Sequence, residues 1–405
     1  MTMINGYTPG AEIDPEDLAL ISRREAVLGP SYRLFYEKPV HLVRGEGVFL
    51  YGPDGEAYLD VYNNVACVGH SHPRVVEAIA RQAATLNTHT RYLTDGVVDY
   101  AERLAATLPP EVRRLMFTCT GSEANDLALR IARAHTGGTG VIVTENAYHG
   151  VTAAIAELSP SLGPANRLGD HVRTVPVTDF ADGVRAALAD MAAKGIRPAA
   201  LLVDTIFSSD GVLDAMPGFA EAVDAVRAAG GVFIADEVQA GFARTGDAMW
   251  GFQRHGLSPD LVTMGKPMGN GHPIAGVAAR PDVVGSFGRQ VRYFNTFGGN
   301  PVSCAAGLAV LDVIRDEGLL ENAKVVGQHL RERLAPFGKV RGAGLFVGLE
   351  LESAEEASRL VQALRERRVL ISATGPRADA LKIRPPLVFS KANVDQFVET
   401  LAQVV

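Results

Sequence analysis

Positive charge is in short supply in this 405-residue chain: 39 lysines and arginines stand against 46 aspartates and glutamates, for a formal net charge of −7. No basic block offsets the deficit, so the footprint of a nucleic-acid or anionic-membrane partner is missing. Cysteine is scarce as well. Cys67, Cys119 and Cys304 are the only three, too few and too scattered for a disulfide framework, and a reducing compartment is expected. Long apolar runs are also lacking, since nothing approaches the roughly 18–20 residues that span a bilayer. The opening MTMINGYTPGAEIDPEDL is polar and acidic, where a secretory leader would be basic and then apolar. A cytoplasmic protein acting on a small molecule is the expectation. Cys67, His70 and His72 crowd into NNVACVGHSHP, but no further ligand pair follows at metal spacing, and His72 precedes a proline at a predicted helix start. No metal is expected.

What the chain does have is ordinary globular material, 47% hydrophobic and 21% charged, enough for a large core in two or three structural units. From about residue 115, short β-rich runs alternate with longer helical ones: LMFTC, SEANDLALRIARAH, GVIVT, AALLVD, FAEAVDAVRAAG, GVFIAD, DLVTMG and AGVAA. That alternation predicts an α/β architecture with a mostly parallel sheet covered on both faces, and ligands at the carboxyl ends of its strands. After about residue 310 the texture changes to LFVGLELE, VLIS and LKIRPP around the helix EEASRLVQALRERR. Three units are therefore expected: residues 1–50 as an arm and the start of a smaller domain, 51–310 as the large domain, and 311–405 as a small α+β domain. GVFLYGPDGEAYLDV, with PDG at its centre, reads as a hairpin.

Three stretches carry chemistry. In CTGSEAND a strand ends at Cys119 and Thr120, Gly121 and Ser122 open a helix, so free backbone N–H groups and the helix dipole offer an anion site. Taken alone, the same stretch equally fits an ordinary cap with Ser122 capping and Glu123 in the first turn. In GVFIADEVQ, Asp236 ends an apolar run, and a carboxylate there must pair with a cation or take up a proton. In VTMGKPMGNG, Lys266 ends another; a lysine so placed loses hydration unless it is paired or reacted, and one use for it is as a Schiff-base nucleophile. A phosphate cradle, the aromatic Tyr148 of AYHG for a flat ring, Asp236 for a ring nitrogen and Lys266 for an aldehyde together describe pyridoxal 5′-phosphate.

The order GSEAND, AYHG, DEVQ-GF-RTG, GK-MGNGHP and NTFGGNPV resembles the class III aminotransferases, a family of fold type I pyridoxal-phosphate enzymes, from about Tyr36 onward. The resemblance implies that Lys266 is the Schiff-base lysine, with Asp236 on the pyridine nitrogen. It further implies Val238 and Tyr148 on the two ring faces, Gln239 near the ring hydroxyl, and Gly121 and Ser122 on the phosphate. Thr296 is implied to reach the cofactor phosphate of a neighbouring subunit, which makes the active unit at least a homodimer with sites at the interface.

The chain departs from the family pattern where a transaminase grips the substrate's α-carboxylate. Lys382 of LKIRPPLVF stands where the arginine would be, and in DTIFSSDGV Ser209 takes the place of the gating glutamate and Phe207 that of a glutamine. A lysine lacks the planar fork that holds carboxylate through two bonds, although Arg384, two residues on, shares its face. The stretches VYNNVACVGHSHP, DEVQAGF and VTMGKPMGNGHP, together with LKIRPPL, resemble the ethanolamine-phosphate and phosphohydroxylysine phospho-lyase branch, which implies elimination of phosphate from an O-phosphorylated primary amine. The alternative is an omega-type transaminase acting with a 2-oxo acid. A catalytically silent regulator is the third reading, and retention of Lys266 and Asp236 argues against it. Asn63, Asn64, Arg91, Ser209 and Lys382 are the candidate substrate-pocket residues, with Arg91 a candidate for a substrate phosphate or a structural ion pair.

Overall fold

The PDG turn does what its residues dictate. In the computed structural model, which describes residues 6, 7 and 9–405, Gly55 adopts φ 85° and its N–H donates to the Gly52 carbonyl at 3.1 Å, a conformation that costs glycine little. The turn joins strands β2 (Phe49–Tyr51) and β3 (Ala57–Asp60), and β1 (Arg44–Glu46) pairs on the outer side of β2.

The central sheet contains β4 (Arg114–Thr118), β5 (Gly140–Thr144), β6 (Val172–Val175), β7 (Pro198–Asp204), β8 (Val232–Asp236), β9 (Leu261–Met264) and β10 (Ala275–Ala279), in the order β4-β10-β9-β8-β7-β5-β6. Strands β5 to β9 run parallel, and β10 is antiparallel to both its neighbours. Every residue of β5, β8, β9 and β10 is buried, because helices cover both faces; this is why those strands read as unbroken apolar runs rather than as an alternation. Short β6 at the sheet edge has a mixed burial pattern and left no such run to read.

A third sheet closes the molecule: β11 (Lys339–Ala343), β12 (Phe346–Glu350), β14 (Ser372–Thr374) and β15 (Ala380–Ile383), ordered β11-β12-β15-β14. The single strand expected over VLIS is in fact two. Val369–Leu370 forms β13 and pairs in parallel with β3, whereas Ser372–Thr374 pairs with β15. Ile371 sits at the corner between them, and the Tyr36 hydroxyl spans it, accepting from the Ile371 N–H at 3.1 Å and donating to its carbonyl at 3.0 Å. The corner therefore stitches the N-terminal hairpin to the C-terminal strands. Among the described residues no helix is long and apolar enough to cross a membrane.

Candidate active site

Parallel pairing delivers the site. Asp204 and Asp236, the last residues of β7 and β8, lie side by side in register, and β9 runs on through Gly265 into Lys266. On the far side β4 leads into the helix Gly121–Thr136. One cavity collects these strand ends, lined by Gly121, Ser122, Tyr148, Asp236, Val238, Gln239 and Lys266, together with Asn125, His149, Gly150 and Asp204. All seven residues expected from a single subunit around the cofactor thus meet in one place.

The helix cap differs from the ordinary-cap alternative. Thr120, not Ser122, is the cap: its hydroxyl accepts from the Glu123 N–H at 3.2 Å, and the Glu123 carboxylate accepts from the Thr120 N–H at 3.0 Å. This reciprocal box leaves the Gly121 and Ser122 N–H groups at the mouth of the helix for another acceptor. Ser122 Oγ accepts from the Val151 N–H at 3.1 Å, which lays the strap carrying Tyr148 over the helix start. Gly150 makes that approach possible: it sits at φ 131°, and a Cβ there would lie 2.5 Å from Ser122 Oγ.

Asp236 is buried and aimed by its neighbours. Its Oδ2 accepts from Asn125 Nδ2 at 2.9 Å and from His149 Nδ1 at 2.7 Å, and its Oδ1 from the Val238 N–H at 3.1 Å. Asn125 is itself fixed by Thr263, whose hydroxyl donates to Asn125 Oδ1 at 2.7 Å. The ring nitrogen that faces the carboxylate carries a proton, so His149 Nδ1 donates, while His149 Nε2 is buried without a hydrogen-bond partner among the described residues. Neither Asn125 nor His149 was singled out in the sequence, although both stand inside the quoted motifs GSEAND and AYHG. Burial pushes the Tyr148 hydroxyl pKa up, and Asp236 adds to the effect. Lys266 is pulled down by burial and then by Arg384, against the opposing pull of Asp236 and Asp204.

A second group adjoins the cavity through Gln239. Gln239 Oε1 accepts from Asn64 Nδ2 at 2.9 Å and from Arg384, and Nε2 donates to Ser208 Oγ at 3.1 Å; these contacts fix the amide orientation and leave one Nε2–H to spare. The Ser208 carbonyl accepts from Thr374 Oγ1 at 2.9 Å and Lys382 Nζ at 3.3 Å. Ser208 reaches this position because the loop 204–212 turns sharply, with Phe207 at φ 54° and Val212 at φ 63°, strained values for such residues. Asp210 anchors the loop by accepting from Thr144 Oγ1 at 2.7 Å, and burial raises its pKa to about 6. Lys382 and Arg384 are both buried at 7% exposure, and among the described residues neither has a carboxylate at ion-pair distance. Both sit over the Phe346 ring, at 5.7 and 6.0 Å, and Arg384 also covers Tyr62 at 4.3 Å.

The other expected residues fall outside this cluster. Asn63 Oδ1 accepts from the Val65 N–H at 2.9 Å, and it is Asn64 that reaches Gln239. Ser209 is half-buried beside Ser208, which makes the contacts. Arg91 is exposed and stacks on Phe294 at 3.8 Å. Thr296 is exposed and does not line the cavity of its own chain. Cys67 donates to the Pro267 carbonyl at 3.1 Å, next to the Lys266 turn, and His70 pairs with Asp60 at 2.7 Å, while His72 meets Glu317 at 3.0 Å. The three point to different partners.

The family described as aminotransferase class-III matches residues 35–405. A solved phospholyase from Arthrobacter in complex with phosphoethanolamine superposes with a TM-score of 0.93 at 44% identity, covering 95% of this chain and 99% of that one. The alanine–glyoxylate aminotransferase 2-like protein of Drosophila melanogaster is 39% identical, over 93% of this chain and 85% of its own length. The ethanolamine-phosphate phospho-lyase homolog 1 of Caenorhabditis elegans is 36% identical, over 95% and 92%.

Proposed function

The chain belongs to the class III aminotransferase family, and from that premise we propose that it is a phospho-lyase, removing phosphate from an O-phosphorylated primary amine to leave aldehyde and ammonia. Its cofactor is pyridoxal 5′-phosphate. The residues around the cavity fit that group: open N–H donors at the helix start, a buried carboxylate for the ring nitrogen, and an amine at the strand end. When bound, the cofactor supplies an electron sink for the carbon that bears the substrate's amine.

In this reading the chain's own residues divide the work. Gly121 and Ser122 would hold the cofactor phosphate, Val238 and Tyr148 would cover the ring faces, and Asp236, steadied by Asn125 and His149, would keep the proton on the ring nitrogen. The spare Nε2–H of Gln239 donates to the ring oxygen. Lys266 Nζ takes the proton from the amine-bearing carbon, helped by surroundings that already disfavour its charged form. The observation that carries the choice of reaction is the pair Lys382 and Arg384, two buried basic side chains with no carboxylate at ion-pair distance among the described residues. Burial without a counter-charge is costly, and a substrate phosphoryl group offsets it. Asn64 is the asparagine we place beside that group, with Ser208 and Ser209 on the opposite loop. The second reading, transfer of the amine to a 2-oxo acid, draws support from Arg384, whose fork could hold a carboxylate.

A swap tests the choice. Lys382→Arg with Ser209→Glu restores the family's carboxylate grip and its counter-charge, and is expected to raise transamination of a 2-oxo acid from a low base by about tenfold or more, the worth of one charge-assisted pair. A wild-type protein that already transaminates as well as the double variant would favour the second reading. We further propose that the enzyme works as a homodimer, with Thr296 reaching the partner's cofactor phosphate, and that it acts in the cytoplasm, in keeping with its three free thiols.

A further inference from the structure

Lys382 is an amine that its surroundings discourage from holding a proton. From its own strand it faces Arg384, and from the turn after β9 it faces Lys266; the carboxylate acting on it is Asp204 at the end of β7, beyond ion-pair distance. The ring of Phe346 on β12 lies 5.7 Å from Nζ, and its acceptor, the Ser208 carbonyl at 3.3 Å, is shared with Thr374 of β14. A carbonyl is a dipole and not a counter-charge. Burial, and after it the neighbouring Arg384, hold the lysine well below the ordinary range.

Resting on the phospho-lyase reading, we propose that Lys382 takes up a proton from solvent when a dianionic phosphoryl group enters, so that the pocket selects a charge of two over a charge of one. The physical reason is electrostatic balance in a low dielectric. A monoanion is neutralised by Arg384 alone and leaves Lys382 as a neutral amine. A dianion leaves one negative charge uncompensated, and the nearest group able to answer it is Nζ, which gains one proton while the solvent loses one. Binding then raises the lysine's pKa relative to the free enzyme. Between those two values affinity for a ligand of fixed charge grows as pH falls, and proton uptake is largest there. This supplies the discrimination that the missing gating glutamate would otherwise provide, since among the described residues no carboxylate lies at ion-pair distance from Lys382 or Arg384.

The test is calorimetric titration of the holoenzyme with inorganic phosphate at pH about 8.5, where phosphate is already a dianion, in two buffers of different ionisation heat. The holoenzyme is required because its cofactor fills the helix-start cradle. Uptake approaching about one proton per site is expected for phosphate and none for acetate. Lys382→Met, an apolar replacement of similar length, is expected to bind phosphate about 30-fold more weakly and to show no buffer dependence. The cofactor's absorbance in the same titration reports any protonation at Lys266 and should not move. Buffer-independent heat for the wild type, or uptake that persists in Lys382→Met, overturns the proton linkage while leaving the phosphoryl site standing. Failure of phosphate to bind the wild type at all overturns the phosphoryl reading itself, and this proposal with it.

Discussion

Asp236 shows how a single residue's role follows from what surrounds it. Asn125, His149 and the Val238 N–H together place its two oxygens within 3.1 Å of three donors, so the carboxylate is held in one orientation, as its proposed role toward the cofactor's ring nitrogen requires. Asp236→Asn keeps the shape and removes the charge. Loss of one charge-assisted bond is worth about 1.5–3 kcal/mol, and because the charge also sustains the electron sink, turnover is expected to fall by at least about 100-fold with the fold intact. Circular dichroism paired with steady-state rates checks this, and a variant within threefold of wild type would remove Asp236 from the chemistry. Lys266 and Asp236 were legible in the sequence because a charge after a buried run is an anomaly that demands a reason. His149 and Ser208 did not stand out, and Asn64 stood out only as a pocket candidate, since the contacts that give them meaning come from elsewhere in the chain: Asn64 meets Gln239, 175 residues on, and Ser208 meets Lys382, 174 residues on.

At the scale of elements, helices were legible by period but their packing was not. Two helical glycines make the point. In the helix Leu319–Leu334, a Cβ on Gly327 would lie 2.2 Å from the carbonyl oxygen of Gly344, which is itself held at φ 52° in the turn between β11 and β12. In the helix Pro281–Gln290, a Cβ on Gly288 would meet nothing within 4 Å. The same substitution should therefore have opposite signs. Gly288→Ala is expected to stabilise by about 0.5–1 kcal/mol through helix propensity, and Gly327→Ala to destabilise by about 1–3 kcal/mol through overpacking against backbone. Thermal melts of both variants at one scan rate decide it; equal shifts would mean that the close approach carries no energy. The loop 204–212 was equally hidden. Its one glycine, Gly211, takes φ 110°, but Phe207 and Val212 also turn at positive φ without being glycine, and only those two values reveal that strain is spent on presenting Ser208.

The whole molecule was the most legible level in class and the least in assembly. An alternation of buried strands and helices leaves few arrangements other than a covered parallel sheet, and the reversal of β10 was beyond reach only because a fully buried strand reads the same in either direction. What one chain cannot bury is a different signal. Leu93 is fully exposed, and Tyr92, Val151 and Phe297 are each more than 60% exposed, in the segments that carry Arg91, Tyr148 and Thr296. These are the apolar side chains that the proposed dimer would cover. Sedimentation is expected to give twice the mass of the chain, and dilution into monomers to release the cofactor; a monomer that retains cofactor would contradict the placement of Thr296 on a partner's site. The central claim, elimination rather than transfer, rests on two buried basic side chains that a dianion would satisfy, and it is tested most directly by incubating the holoenzyme with phosphoethanolamine in the absence of any 2-oxo acid. Phosphate, ammonia and aldehyde are expected in equal amounts over many turnovers, with the cofactor's absorbance unchanged. Turnover that stalls after one equivalent and resumes only when pyruvate or 2-oxoglutarate is added, or indifference to phosphoethanolamine alongside ready transamination of amino acids, would contradict it.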